Sequence, residues 1–323
     1  MSGNQDKRMD MKDAIGQFVR DGDTVYLGGF IQQDPFAAAH EIIRQGKKGL
    51  TLSKAAGILA VDLLVGAGCV QKVITSYVWN PIPRPAHAFI RAVREGVPHK
   101  VEVEEVSILT LTLAYLAGAL DLPYVPAKTL LGSDMLSKNT GLGEHKIQVS
   151  HSPFTEETIC LIPPLRHDVG IIQVQRADPQ GNAQAWGFRG DAKYGMLSCQ
   201  RIIVCAEEIV PHEVILKDPD RTMIPAFRTH AVVEEPWGAH PSYTMGYYDV
   251  DWQFLGYYEE HTRTRDDLEQ FLAEWVLGTG NRRDYVHKLG KKRMDSLRPE
   301  AAWRPEPISY GRFSRHSWDN EHG

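Results

Sequence analysis

Short apolar runs alternate with amphipathic segments over the first ~130 residues, and this rhythm limits the possible folds more than any other feature of the chain. Ala14, Ile15, Phe18 and Val19 share one helical face, Asp21-Gly22-Asp23 breaks it, and Thr24–Leu27 reads as a buried strand. Gly28-Gly29-Phe30 ends that strand. Asp34-Pro35 then reads as an N-cap followed by proline at the first helical position. The helix carries Phe36, Ala39, Ile42 and Ile43 and stops at Gly46. The unit recurs, with strands expected at 50–52, 73–77 and 101–105 and helices at 58–65, 86–94 and 108–120, the last with Ser107 as its cap. Strand–helix units of this kind predict an α/β protein with an open, parallel-rich sheet and helices on both faces.

Residues 128–156 lose any period and read as an irregular insertion, the kind of long segment that often carries function. Further strands are expected at 159–162, 169–174, 202–205 and 231–233, and Leu268, Phe271, Leu272, Trp275 and Val276 mark a late amphipathic helix. This organisation predicts a single domain over 1–296 and a polar tail over 297–323.

Charge excludes some functions. Lys and Arg number 36 against 41 Asp and Glu, a net charge of −5, which argues against a nucleic-acid partner. No run approaches the ~18 apolar residues of a membrane span. Met1 to Asp13 lacks the apolar core of a signal peptide, so the chain is expected in the cytoplasm. The four cysteines form no CxxC pair and read as isolated buried thiols. No HxH or HExxH spacing points to a metal.

The glycine turn 28–30 follows a strand, where a ligand can approach bare backbone, but it is neither GxGxxG nor a phosphate-binding P-loop. A plain tight turn explains it equally well. Glu102, Glu104 and Glu105 precede an apolar helix: a base or nucleophile, or an exposed strand face with helix-terminal charge. His240, in Gly238-Ala239-His240-Pro241, is an acid–base candidate among thirteen histidines.

The segment DGDTVYLGGF at 21–30 resembles the strand-to-GGF signature of the A (alpha) subunit of family I CoA-transferases, the glutaconate type in particular. Supporting stretches are KDAI at 12–15, EIIRQG at 41–46, AAG at 55–57, AGALDLPYVP at 117–126, GSD at 132–134 and EEI at 207–209. VVEEPWGAHPS ending at Ser242, EWVLG at 274–278 and YVHKLG at 285–290 complete the similarity. The resemblance implies an open α/β fold and a B-subunit partner, in a heterodimer or an A2B2-type assembly. It also implies transfer of CoA from an acyl-CoA to a free carboxylic acid, with the CoA thioester as substrate and no permanently bound cofactor. In the glutaconate type the nucleophilic glutamate lies on the B subunit in a Ser-Glu-Asn-Gly segment, which this chain lacks. On this resemblance Glu105 and Ser107 are the catalytic candidates. Gly28, Gly29, Phe30, Trp79 and Asn80 are the candidates for substrate and CoA binding.

Two departures shape the expectation. Pro81 stands where glutaconate-type members carry a serine, and Trp79 is bulky, so a larger or more apolar acyl group is expected. Ile108 stands where several relatives place a glutamine that polarises the thioester oxygen. Ser107, a backbone amide, or an inward-turned Glu105 would have to replace it. A related branch of steroid ring-cleaving hydrolases uses a glutamate in this region, which leaves ring opening of a steroid-derived CoA thioester as the alternative. A non-catalytic scaffold subunit is the third reading.

Overall fold

Thr24–Leu27 buries three of its four side chains, a pattern suited to a strand covered on both faces. In the computed structural model, which describes residues 5–80, 85–138 and 141–299, this strand lies near the middle of a nine-stranded sheet. On one side it is followed in parallel by Leu50–Ser53, Val70–Thr75 and Glu102–Glu105. On the other side come His167–Ala177, Cys199–Ile209 and Ala231–Glu234, also parallel. Two short antiparallel strands, Ala183–Gln184 and Thr222–Ile224, extend the sheet beside the far end of His167–Ala177. The chain thus winds outward from strand 24–27 to strand 102–105, then returns to lay strand 167–177 on the opposite flank. That reversal makes the seam between 24–27 and 167–177 a topological switch point, the place where open parallel sheets generally bind their ligands.

Successive strand residues feed opposite layers. Val25, Leu27, Leu50, Leu52, Val169 and Ile171 join helices Met11–Phe18, Phe36–Arg44 and Leu59–Gly66 in one core. Tyr26, Ile74, Ile172 and Val204 join Leu111, Ala114 and Tyr115 of helix Ile108–Ala119, and Met196, in the other. The expected two-faced α/β sheet is present.

Three expectations change. Helix 36–44 has no side-chain cap; the Asp34 carboxylate turns instead to Lys54 and the amide of Ala60. Segment 128–156 is not structureless. It holds helix Asp134–Ser137, the strand pair Gly141–Leu142 and His145–Lys146, and strand Gln148–His151, which builds a three-stranded antiparallel sheet with Thr158–Ile162 and Val125–Ala127. Strands of two to four residues are too short to print a period on the sequence. The late helix ends at Phe271, and Leu272–Leu277 continues as a wider π-turn.

All four cysteines are free and buried. Among the described residues, no helix is long and apolar enough to cross a membrane, and no group of three or more His, Cys, Asp or Glu could hold a metal. Pro81 and most of the tail, residues 300–323, lie outside the described residues.

Candidate active site

The candidate site at the switch point begins with the two glycines. Gly28 continues the strand ladder, donating its N–H to the carbonyl of Ile171 at 2.7 Å. A Cβ on Gly28 would lie 2.6 Å from the Ile172 side chain. Gly29 has φ +77°, and a Cβ there would sit 2.5 Å from the Gln32 carbonyl. Only glycine fits both demands, one steric and one conformational.

Beneath the turn lies Lys54, the first residue after strand 50–53, with its side chain only 2% exposed. Its ammonium donates to the carbonyls of Leu27 at 3.3 Å, Gly28 at 2.9 Å and Gly29 at 3.1 Å, and to Asp34 Oδ1 at 3.0 Å. The second Asp34 oxygen accepts from Ala60 N at 3.1 Å, so Asp34 satisfies a free amide of the following helix. The remainder of the loop is tied to the neighbouring flank. Gln32 Nε2 donates to the Phe188 carbonyl at 2.6 Å, Gln33 Nε2 donates to Gln175 Oε1 at 2.6 Å, and Phe30 meets Phe188 edge-on at 5.1 Å.

One strand further, Glu207 is a buried carboxylate hub. It accepts from Tyr248 OH at 2.7 Å, Gln173 Nε2 at 2.8 Å, Thr244 Oγ1 at 3.1 Å and the Trp237 amide at 2.7 Å. Burial pushes its carboxyl up to about 7, against the pull of those donors. Glu235, partly buried nearby, is raised to about 7 for the same reason. His240 lies in the core, between Tyr285 OH at 2.9 Å and Asp251 at 3.0 Å, with Arg293 on the far side of Asp251. Burial lowers its imidazole to about 4. It braces the C-terminal helices and does not face the candidate site as an acid or base.

The sequence candidates are spread along one rim. Gly28, Gly29 and Phe30, then Trp79, then Glu105 and Ser107 all lie at or just past the carboxyl ends of parallel strands. Glu105–Ser107 lie three strands from the glycine turn, ~14 Å at ordinary strand spacing, and Trp79 follows the short strand Tyr77–Val78, which pairs with Ala56–Gly57 outside the main sheet. Gly28 and Gly29 are buried and Phe30 is half-buried. Trp79 is 42% exposed. Asn80 is buried, its amide directed at Asp62 at 3.5 Å and the Pro85 carbonyl at 3.3 Å. Glu105 is exposed, while its neighbour Glu104 pairs with Lys72 at 3.0 Å. Ser107 caps helix 108–119, accepting from Thr110 N at 3.1 Å, and its hydroxyl also meets Thr129 Oγ1 at 3.1 Å. Ile108 is 43% exposed.

Sequence reasoning gave no site role to Lys54, Gln175 or Glu207, and read Asp34 only as a helix cap. The available signal was a charged or amide residue inside an otherwise apolar stretch, such as Gln175 after Val174 or Glu207 after Ala206.

The sequence matches the coenzyme A transferase family over residues 8–235. It is 37% identical over 282 residues to the A (alpha) subunit of 3-oxoadipate CoA-transferase from Pseudomonas knackmussii, covering 87% of this chain and 97% of the relative. It is 34% identical over 306 residues to the corresponding subunit of glutaconate CoA-transferase from Acidaminococcus fermentans, covering 90% and 94%. The crystal structure of glutaconate coenzyme A-transferase from that organism superposes with a TM-score of 0.86 at 31% identity, covering 93% of this chain and 98% of the other. With the fold, the glycine turn and the chain-long similarity in agreement, this chain belongs to the coenzyme A transferase family.

Proposed function

We propose that the chain is the A-type subunit of a heteromeric CoA-transferase, exchanging CoA between an acyl-CoA and a free carboxylic acid in a site completed by a B subunit. The observation that carries this reading is the glycine turn at the switch point of a fold that matches the family model over residues 8–235. The rim itself argues for a second chain. Ile31, Tyr77, Trp79, Ile108 and Leu109 are all exposed apolar residues just past carboxyl strand ends. Exposure of that kind is characteristic of a surface that another protein covers.

In this reading the partner's glutamate attacks the thioester carbonyl, the C–S bond breaks, and CoA leaves as its thiolate. The thiolate then attacks the glutamyl carbonyl of the mixed anhydride and releases the first acid. The incoming acid runs the same steps in reverse. The present chain lines the acyl side. Gly28, Gly29 and Phe30 form the floor, Trp79 forms a wall backed by Asn80, and the Ser107 hydroxyl with Glu105 closes the far end. The bulk of Trp79 favours an extended or apolar acyl group.

Co-expression with a B-type chain from the same organism tests the reading. The complex should exchange labelled CoA between acyl-CoA and free acid, and borohydride should trap a thioester on the partner. In a transferase, E105A lowers turnover less than tenfold. Loss of more than a thousandfold in E105A, with a wild-type complex that adds water across a ring C–C bond and leaves the CoA thioester intact, would instead support the ring-opening hydrolase.

A further inference from the structure

Lys54 carries a charge into the protein interior with one counter-ion, Asp34, whose side chain is 0% exposed. Two charges taken out of water gain little net stability from each other, so a buried pair needs another reason to be present. The contacts supply one. The ammonium takes three successive carbonyls, Leu27, Gly28 and Gly29, all at the end of the strand that leads into the candidate site. Three carbonyls turned toward one cation fix the orientation of the peptides between them.

A trans peptide points its N–H opposite to its C=O. The Gly28 carbonyl faces Lys54, so the amide of Gly29 in the same peptide faces away from it. The Gly28 amide is already committed to Ile171, and the Phe30 amide to the Gln32 carbonyl at 3.2 Å. The Gly29 amide has no hydrogen-bond partner among the described residues. One free donor therefore stands at the head of the central strand, at the switch point. Its direction is set by a lysine that never reaches the surface.

We infer that Lys54, neutralised by Asp34, is the positioning residue of this site: it clamps the carbonyls of residues 27–29 so that the Gly29 amide is presented to an oxygen of the bound acyl group. The inference rests on the transferase reading above. Lys54 does not touch substrate; it acts through the peptide it orients. A donor fixed before substrate arrives needs no reorientation when charge builds on that oxygen, so the effect falls on turnover more than on binding.

The test uses the assembled two-subunit complex. In wild type, the Gly28 amide, bonded to the Ile171 carbonyl, should exchange with deuterium as slowly as the amides of strand 167–177, read residue by residue by NMR. K54M should raise Gly28 exchange at least tenfold. It should lower kcat at least a hundredfold while KM for acyl-CoA stays within threefold. K54Q, whose shorter amide can still donate to part of the carbonyl set, should recover about tenfold of the lost kcat and stay at least tenfold below wild type. If K54M does not fold, wild-type exchange and K54Q carry the decision. Fast exchange of the Gly28 amide in wild type, or a K54M or K54Q enzyme with kcat within threefold of wild type, overturns the inference. A wild-type complex that moves no CoA overturns the transferase reading instead, because the exchange measurements need no turnover.

Discussion

Gly28 and Gly29 stand side by side for different reasons, and their substitutions should fail differently. G28A drives a methyl into the Ile172 side chain, 2.6 Å away. Overpacking of this kind costs about 1–3 kcal/mol, read as a lower urea midpoint with an unchanged m-value. G29A meets backbone as well as an unfavourable φ of +77°, so it should distort the turn and reduce CoA exchange out of proportion to its stability loss. Glu207 supplies a pH prediction. Its carboxyl sits at about 7 in the folded chain against an ordinary 4.5, so the folded state holds the proton more tightly than the unfolded one. That contribution is complete below the unfolded value and is lost as pH rises through the folded one. Glu207's own share of the loss in urea unfolding should be on the order of 2–3 kcal/mol between about pH 5 and about pH 8. Glu235 titrates in the same window, so E207Q should flatten that decline only in part; an unchanged slope in E207Q would exclude Glu207 as its source. The glycine pair was legible in the sequence because nothing else ends an apolar strand so abruptly. Lys54 was not, because a lysine after a strand normally marks solvent, and only the tertiary arrangement places three carbonyls and a carboxylate around it.

At the level of elements, the segments that read clearly were those with a full period. Strand 24–27 and helix 36–44 lie almost wholly in the core, so burial and pattern coincide. The short strands between 141 and 151 have no such register and emerge only once their antiparallel partners are known. Asp34 shows the same limit: position suggested that it caps its own helix, yet its oxygen reaches Ala60, on the helix that follows. Ser107 was placed correctly as a cap, accepting from Thr110 N. S107A should therefore cost about 1 kcal/mol in thermal or urea unfolding. If CoA exchange falls no more than that loss explains, Ser107 serves the helix alone. A drop of a hundredfold in the stable variant would place its hydroxyl at the substrate.

For the whole molecule, the parallel sheet and its two cores follow from the strand–helix rhythm, whereas the place where the winding reverses does not. Nothing local in the sequence says that strand 167–177 returns to lie beside 24–27. The candidate residues consequently read as separate motifs, and only the strand order sets them along one rim. If that rim is the contact surface, W79D should weaken association with the partner at least tenfold in sedimentation or surface-binding assays. The half-exposed Trp79 is not core, so the melting temperature of the isolated chain should hold. The reversal also means that the polypeptide is written as two consecutive blocks. Four of the parallel strands precede the near-fully exposed Phe154 and three follow it, and the glycine turn borders the join between the blocks. A gene divided at that bend and expressed as two fragments would be expected to knit back along the join. Recovery of transfer chemistry would then report reunion of the halves, which is the behaviour of a split reporter.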